Sequence, residues 1–137
     1  MTRSEERALA FEVLYENQFV DNQTAVETYL DAQANRSLQN STFAMGLLAC
    51  VDEHRATIDA KIDAYSHGWK RNRISKVSLA ILMLAAAEIY YYNDIPLRVS
   101  LNEAVELAKK YDDEKAYGFV NGVLNAMIHD SEAVGEA

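Results

Sequence analysis
The chain has 137 residues, half of them apolar, with one proline and five glycines. That is enough for one domain with a real core, too apolar for global disorder, and better suited to long helices than to a turn-rich β fold. The formal net charge of −8 excludes a protein that coats nucleic acid nonspecifically, because its mean field repels phosphate, so any nucleic-acid site must be a local basic patch.

Thr2 and Glu5 have capping-box spacing, which predicts a helix from about Thr2. Ala8, Phe11, Leu14, Tyr15 and Phe19 form its apolar stripe. Asn22 can cap a second helix with Val26, Tyr29 and Leu30 inward, and Ala34 to Asn40 reads as a polar loop. Asn40 or Ser41 can cap a third, longer helix. Its stripe, Phe43, Leu47, Val51, His54, Ile58, Ile62 and Tyr65, runs unbroken, and Gly68 ends it. Trp69 to Arg73 is a basic connection, and Ser75 can cap the helix that follows.

That helix, Val77 to Tyr92, is the one the others must wrap. Between Lys76 and Glu88 it carries no formal charge, and Ser78 is its only polar side chain. Apolar residues cover every side of its wheel, so it is either a membrane span or a central core helix. A span needs about 20 apolar residues; this run is interrupted by Glu88 and stopped by Asn93 to Pro96, so a core helix is expected. A carboxylate at the end of such a helix needs a partner, which Arg73 or Arg98 could supply.

Ser100 and Glu103 form a second capping box, with Val99 placed as a staple. This helix should bury Leu101, Ala104, Val105 and Ala108. Asp112, Asp113 and Glu114 suit the start of a last helix, where carboxylates meet the positive dipole end; Ala116, Val120, Val123, Leu124 and Met127 point inward. The sum is an all-α single domain over residues 1–130, with six or seven helices in two sub-bundles around the central one. An acidic, fraying tail at 131–137 follows.

The histidines lack a Glu-x-x-His partner, so no metal site or cofactor is expected. His54 reads as a satisfied core histidine. Cys50 reads as a buried, inert thiol; a single cysteine permits no internal disulfide and fits a reducing cytoplasm. The N-terminus lacks the apolar core of a signal peptide.

Three places could meet RNA. Arg3 and Arg7 lie one turn apart, and Arg7 has no acid at i±3 or i±4, which leaves it available for an outside partner. A solvated arginine pair at a frayed end fits the residues equally. Phe119 lies roughly 80° off its helix's inward stripe, with Lys115 one turn earlier, so its ring could stack on an unpaired base; it could also be a boundary phenylalanine. Trp69 with Lys70, Arg71, Arg73 and Lys76 is the densest basic run. Its plainer reading is a tryptophan plugging the junction of the sub-bundles. Gly118 and Gly122 inside a helix suggest close backbone approach to a neighbouring helix, the favoured reading, or to a ligand, since each costs about 1 kcal/mol relative to alanine.

Asp94-Ile95-Pro96, the run from Ser100 to Lys109 (SLNEAVELAK) and Phe119 to Leu124 (FVNGVL) together resemble the signature of the NusB family. Trp69 with Arg73, Ala80 to Leu82 leading to Glu88, and Arg7-Ala8 with Leu14-Tyr15 fit it too. The resemblance implies a non-enzymatic, cytoplasmic transcription antitermination factor. With the small-subunit ribosomal protein NusE, such a factor binds the boxA element of nascent ribosomal RNA and helps RNA polymerase read through terminators. It selects RNA for Arg3, Arg7, Lys115 and Phe119, and places NusE near Tyr15, Ser78 and Met83. Ser78 stands where an acid is common and Met83 where an arginine is often seen. Some family members self-associate through the partner-binding face. The N-terminal segment is thinner in basic residues than the family's, with Glu5 and Glu6 interleaved, so weak RNA binding by the protein alone is expected. The alternative is a helical protein-interaction module of the same fold with little RNA affinity.

Overall fold
A helix that is apolar on all sides must be enclosed, and α5 (Lys76–Tyr91) is. Every residue from Ser78 to Ile89 is buried. The computed structural model describes residues 1–66 and 69–136; His67 and Gly68, expected to end the third helix, lie outside them. The described residues form α1 (Arg3–Asn17), α2 (Ala25–Arg36), α3 (Thr42–Glu53), α4 (Arg55–Tyr65), α5, α6 (Leu97–Tyr111) and α7 (Glu114–Glu136), with a 3-10 turn at Arg71–Arg73 and no strand. α1, α2 and α3 pack together on one side of α5; α4, α6 and α7 cover the other. Emptying a fully buried leucine such as Leu82 to alanine costs about 2–5 kcal/mol in such a core.

Side-chain bonds fix the directions. Arg7 of α1 reaches Glu88 near the C-terminal end of α5, while Gln18 after α1 donates to the Lys76 carbonyl at its N-terminal end (2.8 Å). α1 is therefore antiparallel to α5. α6 also runs against α5: Ser100 bonds Glu88, and Asp112 bonds Ser75 and Ser78.

Several local expectations are corrected. Thr24, not Asn22, caps α2, because Thr24 and Glu27 complete both bonds of a capping box, while Asn22 takes a left-handed turn (φ 59°). The start of α2 is also held by Asp52 of α3, whose carboxylate accepts from the Ala25 and Val26 N–H groups. The long third helix bends at His54 (φ −112°, ψ 23°) into α3 and α4. The His54 N–H still donates to the Cys50 carbonyl and its own carbonyl accepts from Ile58, which is why the apolar stripe reads as continuous. His54 is not a core histidine: it is half-buried and stacks on Tyr91, with ring centroids 3.7 Å apart.

α6 starts at Leu97 directly after Pro96, one turn before the expected capping box. Ser100 and Glu103 are instead turned to Glu88 and to Ser4. Phe19, placed inward by the stripe, lies past the end of α1 and is 60% exposed; Leu30 is exposed as well. α7 runs on through Asp130 to Glu136, and Asp130 accepts from Lys61 and Tyr90 at 2.7 Å each. A Cβ on Gly118 or Gly122 would meet nothing within 4 Å, so neither glycine marks the close packing expected.

Candidate nucleic-acid interface
The cations divide by whether they already have a counter-charge. Arg7 does. Its side chain is 5% exposed, and its guanidinium grips Glu88 with two bonds, Nε to Oε2 at 2.8 Å and Nη2 to Oε1 at 2.9 Å. Ser100 donates to the same carboxylate at 2.9 Å, and Glu103 lies 3.8 Å from Nη1. Burial works against the Arg7 charge, but the bonds to Glu88 outweigh it and hold its proton more tightly than usual. The expectation that Arg7 is available to an outside ligand is thus corrected, as is the pairing of Glu88 with Arg73 or Arg98. Absence of a local acid left Arg7 looking idle; its partner is 81 residues away.

Arg3 is held more loosely. It bonds Glu6 at 2.8 Å, its side chain is 64% exposed, and its guanidinium lies 4.3 Å from the Phe43 ring centroid. Glu6 also accepts from the Ser41 hydroxyl; this bond, opposed by partial burial and helped by Arg3, holds its carboxyl below the usual range. Arg3 therefore sits at the C-terminal end of α5, beside Arg7.

Lys115 and Phe119 sit at the other end. Ser75 and Ser78 both donate to Asp112 Oδ2, at 2.9 and 2.8 Å. Asp113 then caps α7 by accepting from the Ala116 N–H at 2.8 Å. These bonds pin the first turn of α7 against the first turn of α5. Beside them runs a groove of about 300 Å³ whose walls include Trp69, Arg73, Lys115 and Phe119. Ser78 and Glu88 are ten residues apart on α5, or about 15 Å along its axis. The structure therefore brings Lys115 and Phe119 together but does not bring Arg3 and Arg7 to them.

Unpaired cations gather at this end. Of 13 lysines and arginines, six have no acidic partner among the described residues: Lys70, Arg73, Lys76, Arg98, Lys110 and Lys115. All but Arg98 lie at the N-terminal end of α5, in the segment entering it, the last turn of α6 or the first turn of α7. Of the nearby acids, Asp112 and Asp113 are already bonded to the serines and to the α7 backbone. The basic run before α5 is legible in the sequence as a run, and Arg73 within it lines the groove with no acidic partner among the described residues. Arg71 alone in it is tied down, to Asp59 and Asp63. Trp69 is no buried plug: it is 55% exposed, with its ring 5.6 Å from that of Phe119.

The residues expected to meet a protein partner also divide. Tyr15 is exposed and meets Phe19 edge-on at 5.1 Å, and Val20 is exposed next to them. Ser78 and Met83 are not on any surface. Ser78 is turned to Asp112; Met83 is 4% exposed, its sulfur 3.8 Å from an Arg55 nitrogen. Both face neighbouring helices because α5 is covered on every side, so their assignment as docking residues is corrected. Phe19 and Val20 extend the exposed apolar surface around Tyr15; their only signal in the sequence was a bulky apolar pair just before a turn.

Burial, helped by Glu53, pushes the Cys50 thiol up to about 11, so it stays protonated. Among the described residues no His, Cys, Asp and Glu cluster could hold a metal, and no helix is long and apolar enough to cross a membrane.

Fold and groove together define an all-helical protein built round one buried helix, with an aromatic and cationic surface at one end of it. The profile of the NusB family matches residues 4–129. The chain is 40% identical over 134 residues to the transcription antitermination protein NusB of Clostridium acetobutylicum, an alignment covering 96% of this chain and 98% of that one. It also resembles the solved structure of T. maritima NusB, with a TM-score of 0.83 at 27% identity, over 95% of this chain and 92% of that one. A crystal structure of the antitermination factors NusB and NusE in complex with dsRNA matches with a TM-score of 0.79 at 28% identity, over 95% and 99% of the two chains. The chain belongs to the NusB family.

Proposed function
We propose that this protein is a cytoplasmic, non-catalytic transcription antitermination factor. It binds boxA-type RNA of a nascent ribosomal transcript together with NusE, and the assembly promotes read-through by RNA polymerase. The relatives carry the antitermination name, and a structural relative is solved with NusE and RNA. The observation that carries the RNA part is the gathering of unpaired cations around the exposed Trp69 ring and the half-buried Phe119 ring at one end of an otherwise acidic chain. Lys115 and Arg73 take phosphates; the aromatic pair suits an unpaired base, since every base has a face to stack. Arg3, on its Phe43 ledge, is at most an outlying phosphate contact. NusE docks on Tyr15, Phe19 and Val20, at the same end of the bundle, because Gln18 ties that end of α1 to the start of α5. A second copy of the chain could compete for that face.

The second reading, an interaction module with little RNA affinity, is favoured by the net charge and by the sequestered Arg7. A titration of labelled boxA RNA, with and without NusE, separates the two. Tighter binding of boxA than of a scrambled RNA, enhanced by NusE, is expected. Equal binding of both RNAs under both conditions leaves the interaction module.

A further inference from the structure
We propose that Trp69 is the platform on which an unpaired RNA base stacks, with Phe119 as the wall behind it. This rests on the RNA reading above and assigns the base contact within that site. Tryptophan is among the largest apolar side chains and is highly buried on average; this one is 55% exposed. It is not loose. The Trp69 N–H donates to the Ser66 carbonyl at 3.2 Å, the Ser66 hydroxyl donates to the Trp69 carbonyl at 3.4 Å, and Ser66 is itself buried.

The indole is tilted 54° to the Phe119 ring at 5.6 Å, and Phe119 is half-buried against the core. Phe119 is thus backed by the core and fronted by Trp69, which meets Phe119 on one side and is 55% exposed. The base therefore meets Trp69 first, and Phe119 keeps the indole from folding away. Arg73 and Lys115 line the same groove and form no salt bridge among the described residues, while the two acids in its wall, Asp112 and Asp113, are bonded to the serines and to the α7 backbone, so a nucleotide whose base lies on Trp69 has cations in reach of its phosphates. Holding the platform in place beforehand lowers the ordering cost of binding.

The chain has one tryptophan, so its emission reports on this position alone. Labelled single-stranded boxA RNA is titrated into the full chain at low salt, with anisotropy and tryptophan emission read together. Where NusE is added, the Trp69→Phe protein serves as the blank for the partner's fluorescence. The proposal expects emission to fall in step with the rise in anisotropy, and the fall to vanish when the RNA carries abasic sugars. Anisotropy that rises while emission stays constant would overturn the proposal and leave the RNA reading standing. No rise above a scrambled RNA, even with NusE, removes the RNA reading and the proposal with it. Trp69→Ala should weaken binding roughly ten-fold, the effect of removing one base stack, with Trp69→Phe recovering most of it. Phe119→Leu, which keeps a wall, should lose far less. If Trp69→Ala fails to keep its helical circular dichroism, the emission of the unaltered protein decides.

Discussion

The two ends of α5 use their cations in opposite ways. At the C-terminal end Arg7 is enclosed by Glu88, Ser100 and Glu103, and its charge is consumed in joining α1, α5 and α6. At the N-terminal end it is the acid that is consumed: Asp112 is turned inward to two serines, and Arg73 and Lys115 are left without a partner. Location near a chain end or in a basic run does not separate a structural cation from a binding one. What separates them is whether the fold has already supplied the counter-charge.

The sharpest way to break this contrast is to remove the enclosed pair. Arg7→Ala leaves Glu88 buried and unpaired and should cost about 3–5 kcal/mol, read as a lowered urea midpoint. Arg7→Met with Glu88→Leu, which removes both charges, should recover much of that loss. A small loss for Arg7→Ala would mean that the pair is not closed off from water.

At the open end the effects fall on binding and spare the fold. Phe19→Ala should weaken NusE binding by about 1–2 kcal/mol, the scale of an exposed aromatic anchor. The thermal midpoint and RNA binding in the absence of NusE should be unchanged. Calorimetry with NusE checks the first and thermal denaturation the second.

Gly122→Ala places a methyl in open space within α7 and should stabilise the protein by about 0.5–1 kcal/mol in denaturant titration. Destabilisation would restore the close packing that the sequence suggested.

The smallest effect concerns Asp130. Bonds from Lys61 and then Tyr90 hold its carboxyl below the usual range. A carboxyl depressed in the fold contributes stability above its unfolded value, about 3.9, and loses that contribution as pH falls through the folded value. Asp130→Asn should therefore lower stability slightly at neutral pH and flatten its decline in acid, as a pH series of melting curves would show.

The sequence made the central helix plain because an apolar wheel has only one stable setting, and Ser75, Thr2 and the inward faces of α5 and α7 followed local rules. Long-range pairing was out of reach. The Arg7–Glu88 bonds and the Asp52 bonds to α2 join positions 81 and about 27 residues apart, and no spacing rule sees that. The bend at His54 was hidden because hydrogen bonds continue through it and preserve the apolar period. Met83 and Ser78 were assigned to a surface because family position suggested one, although the same all-round apolar wheel required them to be covered.

In the proposed reading RNA lands beside the start of α5 and not on the first turn of the chain. The direct test is the salt dependence of boxA RNA affinity for Arg73→Ala/Lys115→Ala compared with Arg3→Ala, in the presence of NusE. Removing one cation from a single-strand phosphate lowers the slope of log K against log salt by about 0.7. The double variant should lower it by about 1.4 and bind weakly, while Arg3→Ala changes it by no more than about 0.7. A flat response of the double variant, with Arg3→Ala abolishing binding, would put the RNA on the first turn of the chain instead.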